Sequence, residues 1–376
     1  MAPTRRPGDS PLITIDPAPA YEMLQALAAV LDEDDADTYD IGAEWFAEIR
    51  DRAGTELMAQ IGAISFGVAD TFTHLMGIAY ETPSPRDVPA FLEHLRATDP
   101  DEIRLHLVEY YTRDARRTTP AAVMRAAVAG DADARAEFLR TSHPEYEPWT
   151  HFLQSVLDAD GPELKRALVD ALEAWHDRVW KAETLTITPI LDRDADAKRV
   201  ALSEQTIDDF VRNATNGVEF VARPGIERLV MIPSFVRRPL VAYAEFAETQ
   251  LIVFPVADES VTAETDEPPR RLVRLSKALG DEKRLRVLRA LADGDMTLME
   301  LADMFGVAKT TMHHHMIVLR SAGLVSVGVG QKRYRLRREA LPDVGGLLGA
   351  YLTAEESPAA GSPARTSPSR RRASSG

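Results

Sequence analysis

Between Lys309 and His314 the chain reads Lys-Thr-Thr-Met-His-His, a run of short polar and cationic side chains at the expected start of a helix. Hydroxyl, imidazole and ammonium groups in that position have the reach and the donor and acceptor pattern that meet base edges in a major groove. Further on, Arg333-Tyr334-Arg335-Leu336-Arg337 alternates cation with apolar residue. With the two-residue period of a strand, Arg333, Arg335 and Arg337 take one face while Tyr334 and Leu336 take the other. Gln331 and Lys332 fall at or near a turn. A ribbon of this kind suits phosphates or a minor groove; taken alone, it reads equally as a hairpin edge kept basic against aggregation. The candidate nucleic-acid contacts are thus Lys309, Thr310, Thr311, His313 and His314 for the groove, with Lys332, Arg333, Arg335 and Arg337 for the backbone or minor groove.

Local signals build the elements that must hold these groups. Thr297 and Glu300 match a capping box, in which each side chain satisfies a backbone N–H left unpaired at a helix start. Leu298, Leu301, Ala302 and Phe305 then follow at the spacing of one buried helical stripe, and Gly306 stands where a left-handed cap ends the helix. In the next helix Met312, His315, Met316 and Leu319 share the inward face. Thr310, His314 and Ile317 point the other way, with Lys309 and His313 on the flank. Gly323 closes this helix, and two short strands follow with a turn near Gly328 and Gly330. From Arg271 to Arg338 the pattern is that of a winged helix-turn-helix, a device that seats its second helix in DNA.

This segment resembles the ArsR/SmtB family of bacterial winged-helix repressors. The likeness rests on Leu275-x-x-Ala278-Leu279-Gly280-Asp281-x-x-Arg284-Leu285-Arg286-Val287-Leu288, on Leu298-x-Glu300-Leu301-Ala302, and on the run from Thr311 to Val325 with its His313-His314-His315 core. The resemblance implies a homodimer that binds a pseudo-palindromic operator in double-stranded DNA and represses until a signal releases it. The helix from Arg271 to Leu279 and the segment from Leu341 to Tyr351 would be its pairing surfaces. Ala308 departs from the serine cap usual in the family, and Ile317 from a commonly basic position. The family's metal sensing does not transfer: the chain has no cysteine, and Asp343 to Tyr351 has no histidine. Three consecutive histidines diverge by about 100° each around a helix, whereas chelation needs i, i+4 spacing. Neither a metal nor a cofactor is expected.

Catalytic motifs are missing as well. Gly62-Ala63-Ile64-Ser65-Phe66-Gly67 is one residue too long for a nucleophile elbow, and no phosphate loop, dinucleotide fingerprint or H-E-x-x-H motif occurs. His74, His94, His106, His143, His151 and His176 are scattered singly. The chain is not expected to be an enzyme. No signal peptide or membrane span is evident, and the absence of cysteine suits a reducing cytoplasm.

Charge is unevenly shared among the 376 residues. Positions 270–340 hold 15 Lys and Arg against 7 Asp and Glu, whereas 1–269 hold 25 against 49. Only the reader segment carries the basic footprint that nucleic acid requires. Most of the remaining carboxylates read as ordinary solvated surface.

Four regions result. Residues 12–257 form an acidic helical and β region, a candidate site for sensing an unidentified small-molecule or protein effector, or for assembly. Residues 258–269 are an acidic linker ending in two prolines, 270–352 the winged helix-turn-helix, and 353–376 a Ser/Pro/Ala/Arg tail without periodicity. Within the first region, helical patterns cover Pro17–Leu31, Ala43–Arg52, Thr55–Ala79 and most of 88–213. The apolar stretch from Met58 to Tyr80 reads as core helix rather than as a ligand pocket. Val218–Val221, Arg228–Ile232, Leu240–Tyr243 and Leu251–Val256 then read as consecutive strands of a small antiparallel sheet, so the fold class is α+β. Thr188-Pro189-Ile190-Leu191, Gly217-Val218-Glu219-Phe220, Ile232-Pro233-Ser234 and Arg238-Pro239 make this region similar to that of long actinobacterial ArsR-like regulators, a resemblance that supplies no ligand. The competing reading is a protein-interaction or scaffold module whose winged helix binds a protein partner.

Overall fold

The computed structural model describes residues 11–32, 38–109, 119–142, 147–220, 225–261, 268–328, 333–341 and 343–353. In chain order the elements are β1 (Leu12–Ile15), α1 (Pro19–Leu31), α2 (Ala43–Ile64), α3 (Thr71–His74), α4 (Met76–Glu81), α5 (Val88–Ala97), α6 (Pro100–Glu109), α7 (Ala121–Val128), α8 (Ala132–Thr141) and α9 (Glu147–Asp158). There follow α10 (Gly161–Trp175), α11 (Lys181–Glu204), α12 (Ile207–Ala214), β2 (Val218–Glu219), β3 (Arg228–Ser234), β4 (Ala242–Phe246) and β5 (Thr249–Pro255). The last part holds α13 (Arg270–Leu279), α14 (Glu282–Asp293), β6 (Met296–Thr297), α15 (Leu298–Phe305), α16 (Lys309–Ser321), β7 (Val325–Gly328), β8 (Arg333–Leu336) and α17 (Asp343–Thr353).

Helix α1 is apolar on nearly every side, and all its residues from Ala20 to Val30 are buried, the property of a helix at the centre of a domain. Its one carboxylate, Glu22, accepts hydrogen bonds from the backbone N–H of Phe235 and Val236, both at 2.8 Å. Burial nevertheless pushes its carboxyl up to about 7. The surrounding helices start on acidic caps: Asp87, Asp131 and Asp160 each accept a backbone N–H three residues on. Between α10 and α11 a single π turn, His176–Trp180, carries the chain onward, with Trp175 and Trp180 both buried. The helix expected over Thr55–Ala79 is interrupted. Chain reversal at Phe66 and Gly67, both with positive φ, separates α2 from the short α3 and α4.

The sheet of the first region corrects the antiparallel expectation. Its order is β1-β3-β5-β4, with β1, β3 and β5 parallel and only β4 antiparallel. The reason lies in which faces are covered. Val230, Ile232, Leu251 and Val253 pack into the helical core around α1, while Leu229, Met231, Ile252 and Phe254 pack against Phe210, Val211 and Ala214 of α12 and Ala195 of α11. Strands buried on both faces read as unbroken apolar runs, and such sheets are parallel in the main. Nor does β2 belong to this sheet. It pairs in parallel with β7, Val218 opposite Val327, so the second sheet runs β2-β7-β8-β6 and unites the two parts of the chain.

The winged helix has a core of its own, formed by Leu275, Val287, Leu291, Leu301, Met312, Met316, Leu319, Leu324, Val325 and Leu336 with smaller residues between them. Within the boundary expected at 258–269, Asp258–Ser260 is a single 3-10 turn; residues 262–267 and the 354–376 tail lie outside the described residues.

Candidate nucleic-acid interface

The reader is assembled from short-range determinants. Asp281 accepts the backbone N–H of Arg284 at 2.9 Å and caps α14; that bond is the main reason its carboxyl lies below the usual carboxylate range. Both bonds of the capping box form, Glu300 N–H to Thr297 Oγ1 at 3.2 Å and Thr297 N–H to Glu300 Oε2 at 2.7 Å. Gly306 ends α15 in the left-handed conformation, φ 61°, which lets the chain reverse into α16.

Helix α16 buries Met312, His315, Met316 and Leu319, as its stripe requires. Desolvation holds the His315 imidazole below its ordinary value. Lys309, Thr310, Thr311, His313 and His314 are all exposed and occupy the first half of the helix. Ala308, at the N-cap, provides no side-chain cap. The second half differs. Ile317, expected on the outward face, is buried and joins the core around α1. Arg320, one turn on, is near Tyr243 of β4 and Tyr334 of β8; burial pushes the Tyr243 phenol up to about 12. The first region thus packs against α16 at Ile317, and the N-terminal half of the helix stays exposed.

The wing is antiparallel, with Ser326 opposite Arg335 and Val327 opposite Tyr334. Arg333 and Arg335 share the exposed face, while Leu336 is buried and Tyr334 half-buried on the other. Acidic neighbours hold both arginines. Arg335 donates to Asp295 at 2.8 Å and to Glu219 Oε1 at 3.3 Å, and its side chain remains 58% exposed. Arg333 donates to the Asp295 carbonyl at 2.7 Å and lies 3.4 Å from Glu300. Exposed ion pairs of this kind are worth about 0–1 kcal/mol, so a phosphate can displace them.

Arg337 lies one residue past the strand. Strand β8 ends at Leu336, and the Arg337 side chain turns inward over Gly217 and Gly323. A Cβ at Gly217 would meet its Cδ at 2.8 Å, and one at Gly323 its Nη1 at 3.5 Å. Lys332 lies outside the described residues.

Sequence reasoning also missed the joint between the two parts. Arg274 of α13 reaches Asp40 at 2.5 Å and Asp258 at 3.2 Å, and Arg238, itself buried, bridges the same two carboxylates. Arg270 donates to the Asp40 carbonyl at 2.5 Å. The available signal was the Arg237-Arg238 pair in an otherwise apolar stretch, since buried arginines need acidic partners.

Among the described residues no three His, Cys, Asp or Glu side chains gather as a metal site would need, and no helix is long and apolar enough to cross a membrane.

Residues 281–327, from the cap of α14 into β7, match the family described as bacterial regulatory protein, arsR family. Over 50 residues, 13% of this chain, the sequence is 36% identical to the transcriptional repressor SdpR of Bacillus subtilis (strain 168). The match spans 56% of that relative's length. No solved structure gave a significant match. Helices α14 to α16 of this chain therefore form an ArsR-like helix-turn-helix.

Proposed function

We propose that this protein is a DNA-binding transcriptional regulator, acting as a dimeric repressor on a pseudo-palindromic operator. The observation that carries the reading is the open first half of α16, Lys309 to His314, beside a wing that exposes Arg333 and Arg335, on an ArsR-like scaffold. Base edges are read by Thr310, Thr311, His313 and His314, with Lys309 at the groove edge; phosphates are held by Arg333, Arg335 and Lys332. Arg337 holds the joint rather than DNA.

Dimer pairing uses α17, which packs against α13 and leaves Leu348, Tyr351 and Leu352 exposed, Leu352 to 71%. An apolar row of this kind on a short helix suits a second copy. The relative's name describes a repressor, which favours repression over activation. Neither a metal nor a catalytic residue enters this reading.

Selection of the full chain against a random-sequence DNA pool tests it. Enrichment of one inverted repeat supports the proposal, whereas a pool without a consensus points to the protein-interaction module.

A further inference from the structure

A cavity of about 690 Å³ opens between the two parts of the chain, within the range of small-molecule sites. One wall is the Thr38–Ala43 segment with Pro239; the other is α13, Arg284 of α14, and His314, Val318 and Ser321 of α16. Its lining has two characters. Ala43, Pro239, Pro268, Val273 and Val318 are its apolar members. With them stand Arg270, Arg274, Lys277 and Arg284; Asp40 is the one carboxylate of the lining, and Arg274 also pairs with Asp258 at 3.2 Å.

A cleft with one sign of charge and low-dielectric walls concentrates ions of the opposite sign. Arg274 and Arg284 direct donors to Asp40, Asp258 and the carbonyls of Lys277 and Ala278. The excess positive charge of the lining, with Lys277 at its edge, is therefore what attracts an acidic head, and the apolar lining favours an organic anion over a simple inorganic one. Two of the cations, Arg270 and Arg274, already engage Asp40, so the lining is held in place by the joint itself. A second cavity, of about 330 Å³, lies across the same joint with Arg274 and Pro239 in both linings. Its walls include Lys198, Arg337, Asn213 and Asn216 and offer less apolar surface, which makes it the poorer seat for an organic molecule.

We infer that the larger cavity is an effector site for a small organic anion, an apolar body carrying a carboxylate or similar acidic head. The ligand touches both parts of the chain at once, including His314 and Val318 on α16. Its occupancy is therefore linked to the placement of the reader helix. That linkage rests on the proposed DNA-binding role, whereas the site itself does not. By reciprocity, DNA and ligand change each other's affinity by one common factor.

The site is tested without DNA, using the purified full chain and two fluorescent probes: the anion 1-anilinonaphthalene-8-sulfonate and its neutral counterpart N-phenyl-1-naphthylamine. Ala43→Trp fills the cavity from the first region and leaves the winged helix untouched; Lys277→Glu reverses one charge at its rim. Leu185→Gln, at an exposed apolar residue of α11 outside the cavity lining, serves as the control. Circular dichroism checks that each variant folds.

The expected result is saturable binding of the anion, about tenfold tighter than the neutral probe. Each cavity variant should weaken it by about tenfold, and the control should not change it. Equal binding of the two probes, or anion binding indifferent to both Ala43→Trp and Lys277→Glu, overturns the site. A DNA titration with saturating anion then separates the two proposals. An intact site in a chain that binds no specific DNA defeats the regulator and spares the pocket; unchanged DNA affinity defeats the linkage alone.

Discussion

Asp295 restrains the arginine that the account assigns to DNA backbone, so replacing it with asparagine should tighten DNA binding. Arg335 gives Asp295 a contact at 2.8 Å from Nη2 and another at 3.1 Å from Nε. That pairing is the chief reason its guanidinium lies above its ordinary acidity value. The arginine side chain is 58% exposed and the aspartate 36%, so the pair is screened and worth about 1 kcal/mol at most. Releasing it should raise affinity by up to about fivefold. The gain should be the same on specific and random DNA, because a phosphate contact carries no sequence information. Fluorescence anisotropy of Asp295→Asn, Arg335→Ala and the double variant measures it as a cycle. Arg335→Ala alone should lower the salt slope by about one. In its background the asparagine should contribute nothing. A full gain from Asp295→Asn without Arg335 would refute the reasoning, because the effect would then come from bulk charge.

Other consequences are independent of that pair. Thr297→Ala removes half of the capping box and should cost about 1 kcal/mol in urea unfolding. Leu348→Glu should shift the chain toward monomer in sedimentation and weaken operator binding more than random binding. Glu22 holds its proton more firmly folded than unfolded, rising from an ordinary 4.5 to about 7. Its contribution to stability is full below about pH 4.5 and is lost as pH rises through about 7. Relative to Glu22→Gln, the natural chain should therefore lose roughly 3 kcal/mol or less between those limits, read from urea melts at each pH. Ile317→Ala should cost about 2–5 kcal/mol if the helix rests on the first region as its burial indicates.

The winged helix was legible because its determinants are local: a Thr-x-x-Glu box, a glycine cap and stripes of four apolar residues act within a few turns. The parallel sheet was less so, because pairing among β1, β3 and β5 joins segments far apart in sequence. Its one local trace is the unbroken apolar runs of β3 and β5, which mark strands without showing that both of their faces are covered. Ile317 and Arg337 meet neighbours that the local pattern does not name. Periodicity assigns a face of an element but cannot say which other part of the chain occupies it, and both residues face the joint. The charge partition anticipated a basic reader beside an acidic body. It did not reveal that Asp40, Asp258, Glu219 and Asp295 pair with the reader's own arginines.

The central claim is that α16 and the wing read a specific DNA sequence. Fluorescence anisotropy of the full chain on DNA from upstream of its own gene and on random DNA, each at rising salt, tests it most directly. The account predicts a preference of about a thousandfold or more, with a steep fall in affinity as salt increases. Weak and equal binding to both DNAs, insensitive to Thr310→Ala, would contradict it.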